Sequence, residues 1–143
     1  MRILKLSALF LVLTLASCDS LNPFADKQEK MKNLEGTWYL QKYEVDGQQP
    51  ELTDLEETNY LQLKSDKEVE CLENGNKVEG TWDYYMMSET ISLMEDGNWD
   101  CIEYDVVEAT EDQLIYEYTT DDRTNMKVWM SSTPTVTDPV SQN

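Results

Sequence analysis

The sequence has no histidine. That removes Ser-His-Asp and Cys-His nucleophile pairs, histidine acid-base chemistry and every metal site that needs imidazole. Positive charge is scarce as well: 11 Lys and Arg stand against 29 Asp and Glu, for a formal charge of -18. Nucleic acid is excluded as a partner, because its phosphates must be met by clustered cations. No apolar run approaches the roughly 20 residues that cross a bilayer as a helix. Only two Phe and three Cys occur among 143 residues, a length that suits one domain.

What is present begins with a segment unlike the rest. Arg2 and Lys5 precede an apolar run from Leu6 to Leu15, interrupted only by Ser7 and Thr14. This is the pattern of a secretory signal. It ends in Leu15-Ala16-Ser17-Cys18, which resembles the bacterial lipobox. That resemblance implies removal of residues 1–17 and lipidation of Cys18 through its sulfur by diacylglycerol and fatty acid such as palmitate. The expected product is held to the cell envelope, at the outer membrane, on its periplasmic or surface face. Loss of Arg2 and Lys5 takes the charge from -18 to -20.

The mature chain retains enough apolar and aromatic content for a modest core, unlike a disordered acidic chain. Residues 18–34 read as a tether and a short helix, with Asn22 as a cap, Pro23 at the first helical position, and Phe24 and Met31 on one face. Residues 132–143, rich in Ser, Thr and Pro, read as a disordered tail.

Between them, over residues 35–131, apolar and polar residues alternate in segments broken by turn residues, the pattern of antiparallel strands. Eight strands are expected: about 36–45, 59–63, 68–73, 77–85, 90–94, 99–109, 113–119 and 125–130. Asn74-Gly75-Asn76 is a sharp hairpin signal, because Asn and Gly tolerate positive φ. The one long connection, Gln48 to Thr58, contains Pro50, Leu52 and Leu55 and can form a helical turn over one end of the sheet. Sequential hairpins predict an all-β, up-and-down meander, and eight strands suffice to close an antiparallel barrel. The inward wall is expected to include Trp38, Leu40, Leu61, Leu63, Val69, Cys71, Trp82, Tyr84, Ile91, Leu93, Ile102, Tyr104, Val106, Leu114, Tyr116, Val128 and Met130, with acidic residues facing out.

Gly36-Thr37-Trp38 then opens the first strand after a short helix, and this resembles the G-x-W signature of lipocalins and lipocalin-like domains. Together with the lipobox, the strand count and a second Gly80-Thr81-Trp82, the chain is similar to the small lipocalin-like lipoproteins of Bacteroidetes. The resemblance covers about Leu34 to Met130 and implies an eight-stranded barrel with a Trp ring filling its closed end. It also implies a monomeric, non-enzymatic protein that holds a small hydrophobic or amphipathic molecule. A barrel filled by its own side chains, acting as an interaction module, is the alternative.

For a ligand, the candidate contacts are Trp38, Tyr60, Trp82, Tyr84, Tyr104 and Tyr116, whose rings offer apolar area and, for Tyr, a hydroxyl. In a chain with so little Phe and Ile, the same rings can equally be core. The expected site is the barrel mouth under the 48–58 loop. Cys71 and Cys101 can pair in a disulfide or remain two thiols, and their opposite strand parity argues against the pair. Asp96-x-Asn98-x-Asp100 imitates the start of a calcium loop, but Cys101 stands where Gly is needed and Val107 where Glu is needed. No metal site or cofactor is expected.

Overall fold

A computed structural model of the chain describes residues 22, 24–98 and 101–134. The signal segment, Cys18, Pro23, Trp99, Asp100 and the tail beyond residue 134 lie outside the described residues. One helix, α1 (Ala25–Asn33), precedes eight strands: β1 (Gly36–Val45), β2 (Tyr60–Leu63), β3 (Glu68–Glu73), β4 (Asn76–Tyr85), β5 (Thr90–Glu95), β6 (Cys101–Ala109), β7 (Gln113–Thr119) and β8 (Asn125–Ser131). Each pairs antiparallel with the next, and β8 pairs with β1, so the sheet closes into a barrel in chain order. Closure leaves no sheet edge for another chain to extend.

The turns form where backbone chemistry favours them. β3 and β4 are joined by Asn74 (φ 49°) and Gly75 (φ 78°), the two positive-φ positions of a type I′ hairpin. Asp46 (φ 49°) and Gly47 (φ 80°) end β1 in the same way, with Val45 bridged to Gln48.

The barrel has a packed end and an open end. At the packed end lies α1, which is held by its edges. Lys30 Nζ meets a Glu89 carboxylate oxygen at 2.7 Å, Lys27 Nζ donates to the Met87 carbonyl at 2.9 Å, and Asn33 donates to the Ala109 carbonyl at 3.1 Å. Asn22 is expected as the cap, but Phe24 occupies the N-cap position and makes no side-chain cap bond; the Asn22 side-chain oxygen instead accepts from the Phe24 N–H at 3.1 Å in a turn just before the helix. Phe24 and Met31 are each 41% exposed, and the first fully buried residue is Leu34, just past the helix. Trp38 donates its indole N–H to the Leu34 carbonyl at 2.8 Å, and Trp82 donates likewise to the Lys64 carbonyl at 2.8 Å. The two G-x-W segments thus perform the same task on opposite parts of the packed end. Around them the core continues through Leu63, Val69, Tyr84, Ile91, Val106, Leu114 and Met130.

Two bulges reset the alternation. In β1 the register shifts between Leu40 and Lys42, so Tyr43 rather than Lys42 follows Leu40 on the inner face, opposite Val128. In β6 the shift between Val106 and Glu108 brings Ala109 inside. An extra residue on one strand does this because faces alternate with period two. Of the expected inward wall, Ile102 departs. It sits opposite Leu93, on the inner parity, but in the first residues of β6, before β7 begins to pair with that strand, and there it is 53% exposed instead of joining the core.

The cysteine bridge is not formed. Cys71 lies on the inner face opposite Leu61 and Val78, whereas Cys101 is paired with Met94 on the outer face, beside Ser92. Both are free thiols, because the barrel wall stands between them.

Candidate functional site

The β1–β2 connection, the β3–β4 hairpin and the β7–β8 turn gather at the open end, and a cavity of about 250 Å³ descends from them into the barrel. Part of its wall is aliphatic, from Leu40, Leu61, Leu93, Val128 and Met130. Another part is aromatic. Tyr104 and Tyr116 have ring centroids 4.8 Å apart, Tyr104 and Tyr118 5.0 Å apart at 78°, and Tyr116 and Tyr118 6.3 Å apart at 30°. These three rings come from β6 and β7, where alternate residues face inward, and Tyr43 joins the lining from β1 by way of the bulge.

The loop over the mouth is built by a local signal. Thr53-Asp54-Leu55-Glu56 forms a capping box: the Glu56 N–H donates to Thr53 Oγ1, and the Thr53 N–H donates back to Glu56 Oε2 at 2.8 Å. A short 3₁₀ turn, Glu56–Thr58, follows. The same carboxylate accepts from the Tyr43 hydroxyl at 3.0 Å, which ties the loop to the inner wall. Leu52 packs on the core beneath it. These bonds, the Thr53 N–H first, hold Glu56 below the usual carboxylate range, while burial and Glu56 push Tyr43 up.

Burial first, then neighbouring charges including Glu73, raises the hydroxyls of Tyr104, Tyr116 and Tyr118. They remain protonated at neutral pH. Burial and the acidic neighbours Glu73, Glu95 and Glu70 likewise raise the Cys71 thiol, which also borders the cavity.

The six rings expected to contact a ligand are divided by this geometry. Tyr104 and Tyr116 are in the cavity wall. Tyr60 borders the mouth, but its register places it opposite Leu72 on the outer parity, and its hydroxyl donates to Glu70 outside. Trp38, Trp82 and Tyr84 do not line the cavity; they are 2%, 3% and 8% exposed in the packed half. Sequence reasoning missed Tyr118, although it continues the Leu114, Tyr116 parity of β7, and Tyr43, which only the bulge turns inward. It also missed Glu73. That residue continues the inner parity of Val69 and Cys71, so one acid faces the interior at the mouth where acids were expected to face out. Among the described residues no group of His, Cys, Asp and Glu is arranged to hold a metal ion. No described helix is long and apolar enough to cross a membrane.

Comparison with known proteins places this architecture. The model of the lipocalin-like domain family matches residues 34–116, more than half of the chain. A lipocalin-like protein from Bacteroides uniformis superposes with a TM-score of 0.53 at 15% identity, covering 71% of this chain and 99% of that one. A DUF4847 family protein from Bacteroides vulgatus gives a TM-score of 0.53 at 12% identity, covering 75% and 99%. None of the curated proteins compared matches. At these identities the two structures speak for the fold alone, and the family match over residues 34–116 carries the assignment. The chain belongs to the lipocalin-like domain family.

Proposed function

We propose that the protein is a lipid-anchored, non-enzymatic barrel of the cell envelope that binds one small hydrophobic or amphipathic molecule in the cavity at its open end. The observation that carries this reading is the cavity itself, about 250 Å³ under a tethered loop. Its size lies between the roughly 150 Å³ that accepts benzene and the roughly 300 Å³ at which pockets for drug-sized ligands begin. Side chains do not fill this half of the barrel, and for that reason the binding reading is favoured over the packed interaction module.

Titration with small hydrophobic fluorophores tests it. A saturable, one-to-one response that is lost in Tyr116→Ala with the fold intact by circular dichroism supports binding. A response that never saturates contradicts it.

Anchoring is the second half of the proposal and rests on the Leu15-Ala16-Ser17-Cys18 motif. Acyl chains contribute about 0.8 kcal/mol per buried CH₂, and several of them hold a protein to a bilayer durably. Cys18→Ala is expected to move the protein from the membrane fraction to the soluble fraction. Retention of that variant in membranes contradicts a lipid anchor at Cys18. The protein is proposed to act as a monomer, since each strand has a neighbour on both sides in the closed barrel.

A further inference from the structure

We propose that the cavity selects amphiphiles with a compact cationic headgroup, seated between Glu73 and the tyrosine wall of Tyr104, Tyr116 and Tyr118, with the apolar tail directed toward Leu61 and Val128. The inference deepens the binding reading and rests on it. Two observations converge on a positive charge. First, two carboxylates and no Lys or Arg line the cavity. One of the two, Glu56, is already committed to Thr53 and Tyr43, whereas Glu73 has no ion-pair or hydrogen-bond partner among the described residues. Second, the three rings form an angled wall, two of them within 30° of parallel and the third tilted against both. Such a wall offers ring faces to a cation, which is attracted to the quadrupole within about 6 Å of a centroid.

The rival chemistry is an anionic headgroup accepting hydrogen bonds from those same hydroxyls. The site opposes it: the anion would meet Glu73 and Glu56 without a single lining cation, on a chain of net charge -18.

The test uses the full-length chain and three probes with one tail length, octyltrimethylammonium, 1-octanol and octanoate, titrated calorimetrically near 0.15 M salt so that the distant surface field is screened. The cation is expected to bind about tenfold more tightly than the alcohol, the gain of a partly desolvated cation–π and carboxylate contact, and octanoate most weakly. Glu73→Gln should weaken the cation severalfold toward the level of the alcohol and leave the alcohol unchanged. Tyr118→Leu should weaken the cation more than the alcohol. Glu103→Gln, which removes an equal charge from the exposed outer face, should change neither. If alcohol and cation bind equally, if octanoate binds best, or if Glu103→Gln acts like Glu73→Gln, the cationic headgroup is wrong while the apolar cavity stands. If none of the three saturates, the binding reading fails with it.

Discussion

Trp38 and Trp82 show how a single side chain can close one end of a barrel. Each ring is almost wholly buried, and each indole N–H reaches a backbone carbonyl that the sheet ladder does not use, at Leu34 and at Lys64. Trp38→Phe keeps most of the apolar area but leaves the Leu34 carbonyl without that donor. Its cost should be about 1–3 kcal/mol by chemical denaturation, the penalty of an unsatisfied buried group. A loss below the error of the measurement would mean that the ring is retained for volume alone. Gly80 sets a different limit. A Cβ there would lie 2.1 Å from the Met94 carbonyl oxygen and 2.9 Å from Glu95 Cα, both backbone atoms of β5 that cannot turn aside. Gly80→Ala must therefore push β4 and β5 apart and should destabilise the barrel by at least about 1–3 kcal/mol. An unchanged midpoint would contradict so close an approach of the strands. The G-T-W repetition was visible in the sequence, but the reason for the second Gly was not, because contact between neighbouring strands leaves no local mark.

Among the elements, the loop from Gln48 to Thr58 is the one whose state should depend on pH. Its anchor is Glu56, and the sign follows from the bonds that it accepts. They favour the carboxylate, so the folded pKa lies below the unfolded value near about 4.3. The loop's share of stability is thus fully present above that value and is lost as pH falls through the lower, folded one. Hydrogen exchange at the Thr53 amide should accelerate below about pH 4 relative to strand amides, and Glu56→Gln should lessen that dependence. Equal acceleration in wild type and variant would show that another group opens the loop. Strands and hairpins were legible because their signals are local: alternation with period two, bounded by Asn74-Gly75 and Asp46-Gly47. Thr53-x-x-Glu56 was an equally local capping box and could have been read. The bulges after Leu40 and Val106 could not. A slipped register depends on both strands of a pair, and in β1 it decides whether Lys42 or Tyr43 faces the cavity.

At the scale of the whole molecule, the chain separates two tasks along the barrel axis. The packed end, with α1, both G-x-W tryptophans and the aliphatic core, supplies stability. The open end, with its tyrosines and loop, holds the space. That division explains why Trp38, Trp82 and Tyr84, chosen for their chemistry, fell outside the cavity, while Tyr104 and Tyr116 fell within it. Position along a strand, not residue type, determines which end a ring serves, and the sequence marks face much more clearly than depth. Native mass spectrometry of the protein isolated from its own membrane tests the central claim, an occupied cavity, most directly. The proposed binding function predicts one small noncovalent adduct per chain, absent from Tyr116→Ala. A bare polypeptide with its lipid anchor, in wild type and variant alike, would contradict it.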